Sequence, residues 1–149
     1  MNLCTFCEII NGKLNARKIY ETKYSIAFLD AFPLKEGHTL IISKAHKRKV
    51  QELNIEENHD IFSTLHFLVN HIEKIVESNS TLIAIHNGKE AGQEIPHVHI
   101  HIVPIKKSDE PTTAIHSMFT KENFSEKKID EIWKKITSSL QNHQLQQQN

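Results

Sequence analysis

The sequence predicts an α+β fold, in which an antiparallel sheet of about five strands packs against one long helix and a C-terminal helix. Three observations lead to this prediction. Short apolar runs follow one another with short connections, which favours antiparallel pairing. A single long segment with helical periodicity interrupts these runs, and a second amphipathic segment follows the last of them.

The strands are predicted from short apolar and β-branched runs that lie between turn residues. They are Lys18–Glu21, Ser25–Leu29, Thr39–Ser43, Leu82–His86 and Val98–Val103. Pro104 is expected to end the last strand, because proline cannot donate a ladder hydrogen bond. One face of the sheet is expected to lie under the helices, which leaves the other face available for a site.

The helices are predicted from apolar residues that recur at steps of three and four. The longest pattern runs from about Ile55 to Ser78, and a second amphipathic helix is expected over about Ser125–Leu140. A short helix over about Phe6–Ile10 is expected to end at the Asn-Gly pair that follows it. The segment Gln141–Asn149 is mostly Gln and Asn, which is typical of disorder. We therefore predict one domain over residues 1–140 and a polar tail over residues 141–149.

Length and charge exclude several classes of protein. A chain of 149 residues favours a single domain with its own core. Its 18 basic and 18 acidic residues cancel, which gives no overall electrostatic footprint for nucleic acid or an anionic membrane. Neither a signal peptide nor an apolar stretch of membrane-spanning length is recognisable. We therefore expect a cytoplasmic protein that binds neither nucleic acid nor membrane.

Three of the 11 histidines alternate with apolar residues in the segment from His97 to His101. In a strand, this alternation places the three imidazoles on one face and the apolar side chains on the other. His97 and His101 would then be about 13 Å apart, too far for all three rings to bind one zinc ion at about 2.0–2.1 Å. At least one histidine therefore has another task. His99, with a neighbour on each side, is the natural nucleophile, because a neutral imidazole is nucleophilic near pH 7.

A glycine-containing loop directly precedes this row of histidines. Residues Asn87 to Gln93 offer two glycines, two side-chain amides and backbone N–H groups, which suit phosphate oxygens. Beside a row of imidazoles, such a loop indicates displacement at phosphorus, which requires stabilisation of negative charge and a nucleophile in line with the leaving group. A covalent intermediate on histidine would divide that displacement into two easier steps.

Cys4 and Cys7 form a C-x-x-C pair, and they are the only cysteines of the chain. The spacing is typical of half of a zinc site, which needs two further ligands. From the residues alone, those ligands stay open among His38, His46, His59, His86 and His97. Two free thiols are an alternative, whereas a thioredoxin-like redox pair is disfavoured because no βαβ pattern surrounds the motif.

The segment His97-Val-His99-Ile-His101-Ile-Val resembles the signature of the histidine triad superfamily, in which three histidines alternate with apolar residues. Further segments fall in the order and spacing of that family over about residues 4–104. They are Cys4-Thr-Phe-Cys7-Glu-Ile-Ile-Asn-Gly, Phe28-Leu-Asp30-Ala-Phe-Pro33, Gly37-His38-Thr-Leu-Ile-Ile, Lys44-Ala-His46 and Asn87-Gly-Lys-Glu-Ala-Gly92-Gln93. The sequence is similar to the bacterial-type branch of nucleotide-binding and dinucleotide-hydrolase members.

The resemblance implies an α+β fold, a homodimer and a purine nucleotide substrate of the form nucleoside-phosphate-X, where X is an amine or another nucleotide. By the same resemblance, His99 attacks the α-phosphorus and forms a nucleotidyl-histidine that water resolves. His101 would contact the phosphate and help protonate the leaving group. His38 would support the triad through hydrogen bonds.

The substrate-binding residues also follow from the resemblance. Asn87 and Gln93 would contact phosphate oxygens, and Asp30 would accept hydrogen bonds from the ribose hydroxyls. The base pocket would be lined by Phe6, Ile9, Phe28 and Leu29. Glu94 departs from the family pattern, because it stands where many members have a Ser or Thr that donates to phosphate, and an ionised carboxylate cannot donate.

A structural zinc ion is the cofactor that the resemblance implies. Its ligands would be Cys4, Cys7, His46 and His97. Such a site would tie the N-terminus to the catalytic strand and leave His99 for chemistry. The region after about Asp109 resembles the family only loosely, so the base preference and the leaving group stay open.

The sequence is therefore compatible with three functions. The leading hypothesis is an enzyme that works through a nucleotidyl-histidine, either as a phosphoramidase or as a hydrolase of dinucleoside polyphosphates. The second is a purine-nucleotide-binding regulatory protein with incidental turnover. The third is a metalloprotein in which the row of histidines binds a catalytic ion.

Overall fold

An antiparallel sheet of five strands lies at the centre of the protein, and the α+β prediction is confirmed. The computed structural model describes residues 4–109 and 123–147. The strands are β1 (Lys18–Glu21), β2 (Ser25–Leu29), β3 (Thr39–Ser43), β4 (Ser80–Ala84) and β5 (His99–Ile105). The helices are α1 (Thr5–Ile10), α2 (Ile55–Val76) and α3 (Glu126–Gln147), with 3₁₀ turns at Val50–Glu52 and Lys89–Ala91. Among the described residues, no helix has both the length and the apolar character needed to cross a membrane.

The order of strands across the sheet is β1-β2-β3-β5-β4, and every neighbouring pair is antiparallel. Strand β5 lies between β3 and β4, where His101 is opposite Leu40 on one side and Ala84 on the other. The histidines of β5 therefore lie in the interior of the sheet and are flanked by backbone on both sides.

The two faces of the sheet are covered differently. Helices α2 and α3 cover one face, and the core between them includes Ala27, Leu29, Ile41, Ile100, Ile102, Ile61, Leu68, Ile72, Ile129 and Ile132. On the other face, a smaller cluster consists of Phe6, Ile9, Ile26, Phe28, Leu40 and Ile42. Because side chains alternate along a strand, Ile100 and Ile102 of β5 lie in the first core and its histidines lie on the second face.

Helix α2 shows how local sequence signals set the boundaries of an element. Its N-terminus carries a capping box, in which the Asn54 side chain accepts the Glu57 N–H and the Glu57 carboxylate accepts the Asn54 N–H. Glu77 ends the helix in the left-handed conformation at φ 57°. The helix therefore ends at Val76, two residues before the predicted boundary.

The predicted boundaries of two strands were wrong. Strand β4 begins and ends two residues earlier than predicted, because Ser80–Ala84 is the segment that pairs with His101–Ile105. Strand β5 continues through Pro104, which was expected to end it. Its pairing with β3 ends at Ile102, so the missing N–H of Pro104 lies past the end of that ladder.

The end of the chain also differs from the expectation. Helix α3 continues through Gln147, so residues 141–147 are helical and were wrongly expected to be disordered. The added turns lie against α2, where the rings of His143 and His71 are 4.6 Å apart. Residues 148–149 of the predicted tail, and residues 110–122 of the loosely matching region, lie outside the described residues.

Candidate functional site

The predicted histidines come together from β5, from the residues just before it and from the residue before β3. His99 and His101 project from β5 on the face that α2 does not cover, and His38 directly precedes β3. His97 precedes β5 and is buried. The ring centroids of His99 and His101 are 5.0 Å apart, and those of His38 and His101 are 5.2 Å apart.

The orientation of His99 follows from one hydrogen bond. Its Nδ1–H donates to the carbonyl oxygen of His97 at 2.7 Å, so in the neutral ring the Nε2 atom bears the lone pair. The ring of Phe6 packs edge-on against it at 5.1 Å, and only 7% of the His99 surface is exposed. Burial lowers the pKa of His99, and the neighbouring His86 lowers it further, against the opposing effect of the His97 carbonyl. The ring is therefore kept in its neutral, nucleophilic form.

A chain of hydrogen bonds orients His101. The backbone N–H of Leu34 donates to His38 Nδ1 at 3.0 Å, so His38 carries its hydrogen on Nε2. His38 Nε2 lies 3.0 Å from His101 Nδ1 and donates to it, which leaves the hydrogen of His101 on Nε2. Burial, together with repulsion from the imidazoles of His38, His99 and His86, lowers the pKa of His101 to about 3.

Asp30 lies beside this pair of histidines. One carboxylate oxygen accepts the backbone N–H of Phe32 at 2.8 Å, which forms the turn after β2. The other lies 3.6 Å from His38 Nε2. The structure therefore places Asp30 within the cluster, and its contact with a ribose stays a prediction.

The two amides of the glycine-containing loop are engaged with the protein itself. Asn87 Oδ1 accepts the N–H of Val50 at 2.9 Å. Gln93 Oε1 accepts the N–H of Gly88 at 2.8 Å, and its Nε2 donates to the carbonyl of Arg48 at 2.8 Å. These bonds hold the loop against the segment that follows β3. The predicted contacts of both amides with phosphate would require these hydrogen bonds to be exchanged.

Three of the four predicted base-pocket residues share the histidine-bearing face. Phe6, Ile9 and Phe28 lie in one cluster, and the rings of Phe6 and Phe28 meet edge-to-face with centroids 5.8 Å apart. The prediction was wrong for Leu29, which packs in the core under α2 and α3. Leu29 follows Phe28 directly in β2, and adjacent residues of a strand point to opposite faces.

A second cluster has the composition of a zinc site. Cys4, Cys7, His46 and His97 each offer one ligand atom, and these atoms lie within 4.8 Å of one another. The Sγ of Cys4 is 3.4 Å and that of Cys7 3.7 Å from His97 Nδ1. Tetrahedral zinc, with bonds of about 2.3 Å to sulfur and about 2.0–2.1 Å to nitrogen, separates these ligands by about 3.6 Å.

The hydrogen bonding of His97 also fits a metal. Its Nε2–H donates to the carbonyl oxygen of Ser43 at 2.6 Å, which leaves the lone pair of Nδ1 directed at the cysteines. Such a bond from the second ring nitrogen is the usual way in which a metal-bound histidine is oriented. The four residues therefore could hold a tetrahedral metal ion.

A second group of possible metal ligands fits a metal ion less well than the cysteine-containing cluster does. Asp30, His38 and His101 also lie close enough together to share an ion. However, His38 Nδ1 already accepts the N–H of Leu34, so binding through Nε2 would leave the ring with no hydrogen on either nitrogen. That ring would be an imidazolate anion, whereas a neutral His38 satisfies every observed contact. The arrangement argues against an ion held by Asp30, His38 and His101 together.

His86 is a site residue that the sequence prediction named only as an alternative zinc ligand. Its ring lies 5.6 Å from that of His101, and its Nδ1–H donates to the carbonyl of Ala91 at 2.6 Å. Its position follows from the pairing of Ala84 with His101, because alternation places His86 on the same face as Ala84, and the sequence alone does not give that register. The other alternative ligand, His59, lies in a surface hollow on α2.

Comparisons with known proteins agree with this geometry. The family model described as the HIT domain matches residues 11–108. Adenosine 5'-monophosphoramidase HNT1 of Saccharomyces cerevisiae is 38% identical over 112 residues, which cover 75% of this chain and 67% of that protein. The asymmetrical bis(5'-nucleosyl)-tetraphosphatase of Schizosaccharomyces pombe is 35% identical over 96 residues, which cover 64% of this chain and 53% of that protein. A crystal structure of a Zn-bound histidine triad family protein from Mycobacterium smegmatis has a TM-score of 0.73 at 26% identity, and covers 98% of this chain and 97% of that one.

Proposed function

Because the chain belongs to the HIT domain family, we propose that it is a hydrolase of nucleoside-phosphate-X substrates that forms a nucleotidyl-histidine intermediate on His99. The observation that carries the proposal is the 2.7 Å hydrogen bond from His99 Nδ1 to the His97 carbonyl. It holds the ring so that Nε2 is the free nucleophilic atom. Relatives named as a phosphoramidase and a dinucleoside tetraphosphatase support this class of reaction.

The first step forms one bond and breaks another. The lone pair of His99 Nε2 attacks the α-phosphorus, the Nε2–P bond forms, and the P–X bond breaks with its electron pair on X. The leaving group takes the hydrogen of His101 Nε2, which the bond from His38 to Nδ1 places there, and a proton from solvent replaces it on the same atom, so that His101 stays neutral.

The second step restores His99. Water attacks the α-phosphorus, its oxygen displaces His99 Nε2, and the proton that water loses returns to solvent. The products are a nucleoside monophosphate and XH, so the sum of the two steps is a hydrolysis. Dividing the displacement between two in-line attacks is the advantage of a covalent intermediate.

The nucleoside is assigned to the side of the sheet formed by β2 and β3. Phe28 and Phe6 supply the apolar surface for a purine base there, and the Asp30 carboxylate is the acceptor for ribose hydroxyls. The loop between Asn87 and Gln93 is assigned to the phosphate, whose oxygens would replace the present partners of the two amides.

Zinc is assigned a structural role at the site formed by Cys4, Cys7, His46 and His97. When bound, it would cross-link the N-terminal segment to the residue that precedes β5. Because His97 also accepts the His99 hydrogen bond through its carbonyl, a fixed His97 would help to fix the nucleophile.

We also propose a homodimer that works in the cytoplasm. Strand β4 is an edge strand, and on it Ile83 exposes 47% of its surface. An edge with an exposed apolar residue favours pairing with a second chain. The proposed zinc ligation requires both cysteines to be reduced, which suits a reducing compartment. Light scattering of the protein and of Ile83→Lys tests the dimer, which the variant is expected to weaken.

The experiment that tests the enzyme is capture of the intermediate. The protein is mixed with adenosine 5'-phosphoramidate, unfolded at neutral pH within the first turnovers, and weighed intact by mass spectrometry. We expect the mass of one adenylyl group on the wild type and on His66→Asn, an exposed histidine of α2, and none on His99→Asn. Nucleotide binding without an adduct, and with turnover that His99→Asn retains, would instead favour the regulatory binding protein.

A further inference from the structure

The order of the strands separates two sides of the site. Phe28 and Asp30 lie in β2 and directly after it, on the β3 side of the catalytic strand β5. His86 follows β4, which pairs with the opposite side of β5. The nucleoside and the leaving group extend from the phosphorus in different directions. If the nucleoside lies over β2 and β3, the leaving group extends towards β4 and His86.

The hydrogen bonding of His86 leaves one nitrogen available to a ligand. Its Nδ1–H donates to the Ala91 carbonyl at 2.6 Å, so the neutral ring bears a lone pair on Nε2. Within the part of the chain that the structure describes, no residue hydrogen-bonds to that Nε2 atom. The ring stands at 88° to that of His101, which carries the hydrogen assigned to the leaving group.

We propose that His86 Nε2 accepts a hydrogen bond from the leaving group, and that this contact makes the site selective for amine leaving groups over phosphate ones. The inference rests on the proposed hydrolase function. An amine carries N–H donors that a lone pair can accept, whereas a polyphosphate presents oxygens that a lone pair repels. His101 would give the departing nitrogen its hydrogen, and His86 would orient that nitrogen.

The alternative is a purely structural role for His86, which the experiment must distinguish from contact with the leaving group. The loop packs closely on the ring, because a Cβ at Gly92 would lie 3.3 Å from His86 Nδ1. The bond to Ala91 could therefore serve only to hold the loop. Such a tether depends on Nδ1, whereas contact with the leaving group depends on Nε2.

Two substitutions separate these atoms. His86→Asn keeps an N–H near the position of Nδ1 and removes Nε2, whereas His86→Gln places an amide oxygen near Nε2 and removes the tether. The kcat/KM of each variant is measured at pH 8, where histidine side chains are largely neutral, with adenosine 5'-phosphoramidate and with diadenosine tetraphosphate. For His86→Asn we expect about a 10-fold loss with the phosphoramidate, the value of one hydrogen bond, and no loss with the tetraphosphate. For His86→Gln we expect the ratio of kcat/KM with the phosphoramidate to kcat/KM with the tetraphosphate to stay near that of the wild type.

Equal losses with both substrates in His86→Asn, or a loss only in His86→Gln, would overturn the proposal and leave His86 as a tether of the loop. His66→Asn is the matched control and should change neither constant. The melting temperature of each variant shows that it is folded. If the wild type turns over neither substrate and His99 carries no adduct, the proposed function itself fails. If the wild type turns over both substrates but His86→Asn leaves the ratio of the two kcat/KM values unchanged, only the proposed role of His86 fails.

Discussion

His38 Nε2 lies 3.0 Å from His101 Nδ1, and this contact determines which nitrogen of each ring carries the hydrogen. His38 can only donate there, because its other nitrogen accepts the N–H of Leu34. His101 must accept, so its hydrogen is on Nε2. The tautomer of the proposed proton donor is therefore set by a backbone group that lies outside the row of histidines.

Replacing His38 tests this chain of hydrogen bonds. We expect His38→Leu to lower kcat about 100-fold with little change in KM, because His101 would lose the partner that holds its tautomer. His38→Gln should retain more of the activity, since its amide N–H can still donate to His101 Nδ1. Steady-state kinetics with adenosine 5'-phosphoramidate and thermal melts of both variants provide the check. An unchanged kcat in a folded His38→Leu would contradict the assigned role.

Loss of a zinc ligand should affect stability more than chemistry. We expect Cys4→Ser to lower the melting temperature by about 10 °C, because the metal would bind only the folded state. Turnover per folded molecule should fall much less. Thr5→Ala changes the exposed neighbour of Cys4 and serves as the control. Zinc content by elemental analysis accompanies the melts. A variant that keeps its melting temperature and loses turnover would refute the structural role.

Stability should decrease in acid over a defined range of pH. Burial and the neighbouring imidazoles lower the pKa of His101 to about 3, whereas a histidine of the unfolded chain titrates near 6.5. Between these values the unfolded chain binds a proton that the folded chain does not, so stability is lost as the pH falls through this range. Urea midpoints from pH 7 to pH 4 provide the measurement.

The matched variant for the pH experiment is His101→Asn, which removes the titrating group. We expect a shallower dependence of its urea midpoint on pH. Both proteins are measured with a chelator present, because protonation of zinc ligands would otherwise add its own pH dependence. Parallel curves for the two proteins would show that His101 does not contribute.

Gly37 and Gly12 offer a comparison of two left-handed glycines. A Cβ at Gly37 (φ +85°) would lie 2.8 Å from Val76 Cγ1, whereas one at Gly12 (φ +71°) would meet no atom within 4 Å. We expect Gly12→Ala to cost about 1 kcal/mol, which is the strain of the left-handed backbone alone. Gly37→Ala should cost about 3 kcal/mol, because overpacking adds to that strain. Urea denaturation measures both, and equal losses would contradict the predicted overpacking.

Much of the site was predictable because its signals are local. Alternation along β5 placed His99 and His101 on one face, and the structure confirms it. The four proposed zinc ligands were named from the family resemblance, and the structure brings them together. The periodicity within α2 also predicted its start at Ile55, whereas its end at Val76 lies two residues before the predicted one.

The predicted positions of other residues were wrong or missing where the local sequence pattern does not determine them. Leu29 was assigned to the base pocket with its neighbour Phe28, although adjacent residues of β2 point to opposite faces. The polar tail became helix because α3 continues along α2, a contact that no composition rule describes. His86 was missed because its importance depends on the pairing register of β4 with β5.

The sequence by itself determined most element types and the face on which the β5 histidines lie, because periodicity is a property of neighbouring residues, whereas the four proposed zinc ligands were named from the family resemblance. Only the tertiary structure decided the tautomers of His99 and His101 and the position of His86 beside them. Those depend on hydrogen bonds and strand pairings between segments that are distant in the chain, and such contacts exist only once the sheet has formed.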